Sequence, residues 1–292
     1  MKNHIQLDHF ELNDLLEIAR SEGWSPASFT FFKELLGKKG AYLEDERQAD
    51  WKYLLPLQKD RVSLVMGCGF GTLPVALTEI SKEVYAVDGS AGKVDFLNIR
   101  KQQQVLETLH PIKIESWDSL PFMPESFDLI SAAAYPNELP FQTFARQVGT
   151  LLKPGGVVQF NLGNRLGFQN LLNLERKSFG VTLHTLKGYQ KILEKNGFNQ
   201  VTVYTPLPSY KGVPMFYVPL AGNQAMNFFL KNIFPLFERV SPEVKQHYAL
   251  QYKIARLGVR IALQFKLTWL ARYFVPGFCL FAWKKNEDRD YL

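Results

Sequence analysis

Val62-Ser63-Leu64-Val65-Met66 runs directly into Gly67-Cys68-Gly69-Phe70-Gly71, and Asp88 closes the next apolar run, Val84-Tyr85-Ala86-Val87. An apolar run that ends in glycines reads as a buried strand whose chain must turn with positive φ and come close to another group, with no Cβ in the way. The helix that follows points its unpaired N–H groups at that group, which suits a polar or anionic ligand. Asp88 lies seventeen residues after Gly71, where a carboxylate can accept both hydroxyls of a ribose. The stretch therefore reads as the cradle of a nucleotide-type ligand.

The spacing narrows the ligand. The glycines fall as G-x-G-x-G, and Thr72 stands where a dinucleotide fingerprint has its third glycine. That disfavours NAD and FAD and makes S-adenosylmethionine the better fit, with Gly67, Cys68, Gly69, Asp88 and Gly89 as candidate contacts. The competing reading is a plain strand-to-helix turn, and the acid at the end of the second strand weighs against it.

Outward from this stretch the chain alternates. Strands are predicted at 61–66, 83–87, 112–115, 127–133 and 157–162, with helices at 72–81, 91–104 and 140–152. Such alternation implies a parallel sheet with helices on its faces. Pro74 suits the first turn of a helix, where its missing N–H costs nothing, and Lys153-Pro154-Gly155-Gly156 marks a turn before a strand. A helix near 185–196 leads to a strand at 201–204, and Gly277–Trp283 forms the last strand. Before the core, Leu12, Leu15, Leu16 and Ile18 share one helical face, and Ser25-Pro26 opens a second helix.

The expectation is an α/β fold: a Rossmann-like, doubly wound, mostly parallel seven-stranded sheet. It carries an N-terminal helical cap (1–60), a core (61–206 and 276–286) and a helical insertion before the last strand (207–275).

Composition sets the outer bounds. In 292 residues, 46% hydrophobic and 21% charged, the chain can bury a large core, which excludes a disordered polypeptide. Cys68 and Cys279 lie far apart, in a glycine loop and an apolar run, so no disulfide framework is expected. The amino terminus lacks the apolar stretch of an export signal, and a cytoplasmic location is the default. The five histidines share no metal-ligand spacing, and no metal is predicted.

The net charge of +6 is local. Between Leu207 and Val275 there are nine basic and two acidic residues, a net of +7, so the rest of the chain is about neutral. Lys253, Arg256 and Arg260 recur at helical spacing with Ile254, Leu257 and Ile261 on another side. That pattern fits a peripheral anionic membrane surface, or equally a solvated face over a core-packed helix. Lys266, Arg272 and Pro276 interrupt the most apolar window, which argues against a membrane span.

Several segments resemble the class I S-adenosylmethionine-dependent methyltransferases over roughly residues 48–215. They are Ala49–Pro56, the glycine loop, Tyr85–Ser90, Leu120–Ile130 and Leu151–Gly156. Asn164–Gly167 and Tyr204–Tyr210 resemble a branch often associated with glycosyltransferases and polysaccharide or glycolipid assembly. The resemblance implies that Gly67 and Gly69 approach the methionine part of the cofactor, that Asp88 holds the ribose, and that Ser116, Trp117 and Asp118 border the adenine. Two positions depart from the family pattern. Val65 stands where an acid is usual, and Ser116 where an aspartate is usual near the adenine amino group. Each departure removes a polar contact worth about 1 kcal/mol.

Methyl transfer from a sulfonium is an in-line displacement, so alignment is most of the task, and a base is needed only for acceptors such as a sugar hydroxyl. Tyr135 and Glu138, on the segment after the fourth strand, are the candidates to handle the acceptor, with His184 as a third. The competing reading is a loop whose polar groups cap the next helix for Tyr135 and Glu138, and a surface or capping residue for His184.

The leading expectation is transfer to a small-molecule, sugar or glycolipid acceptor. A nucleic-acid methyltransferase is the second reading and a non-catalytic methyltransferase-like binding protein the third. The basic residues are interleaved with a heavily apolar pattern, and no recognised RNA-binding module accompanies them, which disfavours nucleic acid.

Overall fold

The computed structural model describes residues 9–34, 45–56, 58–132, 139–171, 182–208, 213–236 and 242–286. The apolar run Val62–Met66 forms β1, and the glycines turn it into α3 (Thr72–Thr78), the first helix of the core. Then come β2 (Glu83–Asp88), α4 (Ala91–Gln104), β3 (Leu109–Lys113), β4 (Phe127–Ala132), α5 (Phe141–Leu151) and β5 (Leu152–Gly163). After the single turn α6 (Phe168–Leu171) come α7 (Leu186–Lys195), β6 (Phe198–Leu207), β7 (Phe216–Pro219), α8 (Gln224–Phe228), α9 (Pro242–Gln264) and β8 (Gly277–Lys284). The amino-terminal helices are α1 (His9–Ser21) and α2 (Trp24–Glu34), followed by a 3-10 segment at Glu46–Leu54.

The strands form one sheet in the order β3-β2-β1-β4-β5-β8-β6-β7. The pairs from β3 through β5 are parallel, and β8 runs antiparallel between β5 and β6. Strand order reverses at β1, so the carboxyl ends of β1 and β4 flank a switch point, where ligands of open α/β sheets bind.

The sheet has eight strands, where the sequence predicts seven. The eighth, β7, is a four-residue edge strand paired antiparallel with β6, inside the stretch expected to be wholly helical. Four residues are too few to show a period of two, and Pro219 suits an edge, where its missing N–H is no loss. Several boundaries also move: β6 runs over Phe198–Leu207 rather than 201–204, and α3 ends at Thr78 rather than 81. β3 starts at Leu109 and admits Pro111 because it is the other edge. β5 starts at Leu152, taking in the expected turn as an irregularity in its pairing with β4, with Gly155 at φ +74°.

Apolar clusters cover both faces of the sheet. On one, Phe144 and Val148 of α5 and Leu193 of α7 pack against Ile130, Phe160 and Leu280. On the other, Leu77 of α3 and Leu97 of α4 pack with Trp51, Val65, Leu129 and Phe281. Burying each such side chain is worth roughly 1.5–3 kcal/mol.

A third cluster joins the amino-terminal helices to the core. Leu12, Leu15 and Leu16, which share the predicted face of α1, close on Phe96 of α4 and Phe70 of the glycine loop. Buried Arg100 reinforces the joint. Its guanidinium lies 4.0 Å from the Trp24 ring centroid and donates to the Phe70 carbonyl at 3.3 Å. The cap is thus held by the residue between the second and third glycines of the loop.

Candidate cofactor site

The glycine loop has the backbone its sequence demands. Gly67, Gly69 and Gly71 adopt φ of +83°, +53° and +93°. The Gly67 and Cys68 N–H groups donate to the Val87 carbonyl at 2.9 and 3.0 Å, which lays the loop across the end of β2. Asp88 is buried there. Its Oδ2 accepts from the Gly69 N–H at 3.3 Å and its Oδ1 from the Ser90 N–H at 2.9 Å.

The glycines do different work. A Cβ on Gly69 would meet no atom within 4 Å, so the space beside it is open. A Cβ on Gly71 would sit 2.5 Å from Leu97 Cδ1, so this glycine serves helix packing. Gly89 follows Asp88, where the Asp88 carbonyl accepts from the Ile114 N–H at 3.0 Å. The segment after β3 is thereby brought alongside Asp88.

That segment carries Ser116, Trp117 and Asp118. Ser116 Oγ accepts from the Asp118 N–H at 3.1 Å. Half-buried Trp117 packs on the main core, and Gln147 Nε2 of α5 donates to its carbonyl. The sequence reading missed Gln147, because nothing in a helical glutamine shows that it reaches back thirty residues.

Cys68 is buried beside Asp88, and burial followed by the neighbouring carboxylate pushes its thiol well above the ordinary 9.0. It stays protonated and serves as a small apolar wall. Val65 lies fully buried in the cluster with Trp51 and Cys68, where an acid would be strongly desolvated. Polar groups appear instead on the neighbouring strands at the same level. Val65 pairs with Ser131, and Ser131 with Gln159. Ser131 Oγ donates to Gln159 Oε1 at 2.9 Å, and Gln159 Nε2 donates to Asn161 Oδ1 at 2.9 Å.

Of the candidates for the acceptor, Tyr135 and Glu138 lie outside the described residues. His184 stands at the carboxyl end of β5 in a bridge with Asn164, its ring 5.2 Å from Tyr189 and 6.4 Å from Phe141. Burial, and then the charge of Arg165, push its pKa below the ordinary 6.5, so it is neutral at pH 7.

Asn164, quoted in the sequence as part of a family-like motif, has a structural role. Its Nδ2 donates to the carbonyls of Tyr273 and Val275 at 2.8 and 2.9 Å, and its Oδ1 accepts from the Leu166 N–H at 3.1 Å. Asp128 is similar at the opposite end of the sheet, accepting from the Val62 N–H at 2.9 Å and from Lys153 Nζ at 2.8 Å. Among the described residues, no group of three or more His, Cys, Asp or Glu side chains has the arrangement to hold a metal ion.

Residues 64–160 match the family model of a methyltransferase domain. An uncharacterized protein of Haemophilus influenzae is 34% identical over 101 residues, covering 34% of this chain and only 36% of that relative. Among solved structures, Haemonchus contortus phosphoethanolamine N-methyltransferase 2, in complex with phosphomonomethylethanolamine and S-adenosylhomocysteine, superposes with a TM-score of 0.53 at 16% identity. That match covers 94% of this chain and 60% of the other. The complex of the Haloferax volcanii Trm112 methyltransferase activator with a methyltransferase gives 0.50 at 15% identity, over 96% and 99% of the two chains. At such identities the likeness is one of fold. Residues 64–160 thus match a methyltransferase domain, on a fold shared with these methyltransferases.

The residues present fit the cofactor. Gly69 leaves room for close approach, and Asp88 has lone pairs beyond the two it uses on backbone N–H groups. The Trp117 segment lies beside it through the Asp88–Ile114 hydrogen bond.

Proposed function

We propose that this chain transfers a methyl group from S-adenosylmethionine to a small-molecule, sugar or glycolipid acceptor at the carboxyl end of the sheet. One observation carries the reading: the open space at Gly69 adjoins a buried carboxylate, Asp88, that holds the loop in place. The cofactor supplies a methyl group on a sulfonium whose leaving thioether needs no proton. The chain's own residues therefore bind and align. Gly67 and Gly69 admit the methionine part, Asp88 accepts the ribose hydroxyls, and Trp117 offers a flat face to the adenine.

Tyr135 and Glu138 are assigned to the acceptor from their place in the sequence after β4. His184, neutral and at the end of β5, is a proton acceptor for a hydroxyl or amine. The amino-terminal cap and the 207–275 segment are the lid.

The test is calorimetric titration of the folded protein with S-adenosylmethionine, then a methyl-transfer screen over sugars, amines and lipid-linked saccharides. Cofactor binding with turnover of at least one such acceptor supports the reading. Binding without turnover on any of them points to the non-catalytic alternative.

A further inference from the structure

Helix α9 has more apolar surface than the fold uses. At about 100° per residue, its described side chains divide into three arcs. Tyr252 and Val259 face inward, packed against the main core, and Tyr252 stacks on Phe234 at 5.3 Å. Lys253, Arg256 and Arg260 form a basic arc on the exposed side. Beside it lie Leu257, Ile261 and Phe265 at four-residue spacing, with relative exposures of 61%, 46% and 63%.

The solvated charged face over a core-packed side that the sequence allows is compatible with this arrangement, and the exposed apolar row beside the charges comes in addition to it. The patch continues past the helix. Trp269 and Phe274 are 45% and 43% exposed on the following turns, and Phe228, 61% exposed, lies on α8, which touches those turns. Contiguous exposed apolar surface of this kind marks an interaction site.

We propose that this surface docks on an anionic lipid bilayer. Charge complementarity selects the partner: from Val244 to Val275 the chain has no acidic residue, and of the five basic residues from Lys253 to Arg272, three (Lys253, Arg256 and Arg260) form the arc beside the apolar row. Long aliphatic and aromatic side chains beside a basic arc are the pattern of a helix lying in the plane of a bilayer interface, apolar side sunk and basic side at the headgroups. A nucleic acid would leave the apolar row unsatisfied. No described helix is long and apolar enough to cross the bilayer, so the contact is peripheral.

The location gives the contact a use. The turns end at Tyr273 and Val275, whose carbonyls are held by Asn164 at the carboxyl end of β5. The docking surface and the cofactor cradle are therefore at the same end of the sheet, and a bilayer-borne acceptor would meet the site there. That last clause alone depends on the methyltransferase reading.

The experiment is flotation of the full chain with phosphatidylcholine vesicles, with and without one quarter phosphatidylglycerol, at low and high salt. Wild type is expected to float with the anionic vesicles at least tenfold more than with the neutral ones, and less as salt screens the contact. Leu257→Gln/Ile261→Gln/Phe265→Gln should reduce flotation at least tenfold, and Lys253→Glu/Arg260→Glu should abolish the anionic preference. Circular dichroism and cofactor binding of each variant establish that it is folded. Absent flotation of folded wild type, or equal flotation of the triple variant, overturns the proposal. So does a dimer, or binding to a homopolymeric RNA, that depends on these residues while vesicles are ignored.

Discussion

Asp88 Oδ2 accepts from the Gly69 N–H at 3.3 Å while Oδ1 accepts from the Ser90 N–H at 2.9 Å, so one carboxylate both faces the cradle and ties it to β2. Hydrogen bonds to a charged acceptor are worth about 1.5–3 kcal/mol each. Asp88→Ala is expected to weaken S-adenosylmethionine binding at least tenfold, read by calorimetry, and to lower the melting temperature through the freed loop. Asp88→Asn should weaken it similarly, because its amide presents N–H where the loop also presents N–H.

Gly69 and Gly71 make a discriminating pair. Alanine at Gly69 meets no neighbour and costs only the strain of positive φ, about 1–2 kcal/mol, yet occupies the open space. Alanine at Gly71 runs into Leu97 of α4. Gly69→Ala should lose cofactor binding with a modest fall in Tm, and Gly71→Ala should lose several degrees more. Equal melting curves for the two would contradict this division.

Asn164 fastens the loop after β5 to the chain entering β8. Removing its buried amide leaves the Tyr273 and Val275 carbonyls without these donors, at about 1–3 kcal/mol for the buried Val275 group and less for that of exposed Tyr273. Asn164→Ala is expected to lower thermal stability markedly and to increase hydrogen exchange near β8, with cofactor affinity falling less than in Asp88→Ala.

The two cysteines make stability pH-dependent. Burial raises Cys68 well above 9.0 and Cys279 from 9.0 to about 12. The unfolded chain loses these protons first as pH rises through 9, so folding stability falls from about pH 9 upward toward 12. Urea denaturation at pH 8 and pH 10 should show the decline, and Cys279→Ala should reduce it. Both thiols should resist alkylation at pH 8 until the protein unfolds, since both are buried and protonated.

The parallel half of the fold was legible because its signals are local. Four apolar residues and a serine, running into three glycines, specify β1 and its turn, and Asp88 ends β2 as expected. The eighth strand was not legible, since Phe216–Pro219 gains its conformation from pairing with β6 rather than from its own pattern. At the site, the glycines and Asp88 could be read from spacing. Gln147 and the amide of Asn164 act across thirty and more than a hundred residues, and only the folded chain shows them. The exposed apolar row of α9 was half legible: its period appears in the sequence, but which side meets the core is a property of tertiary packing.

The most direct measurement is calorimetric titration of the purified, folded protein with S-adenosylmethionine, repeated on Asp88→Ala. The account predicts stoichiometric binding that weakens at least tenfold in the variant. No binding to folded wild type, or equal binding to both proteins, would contradict it.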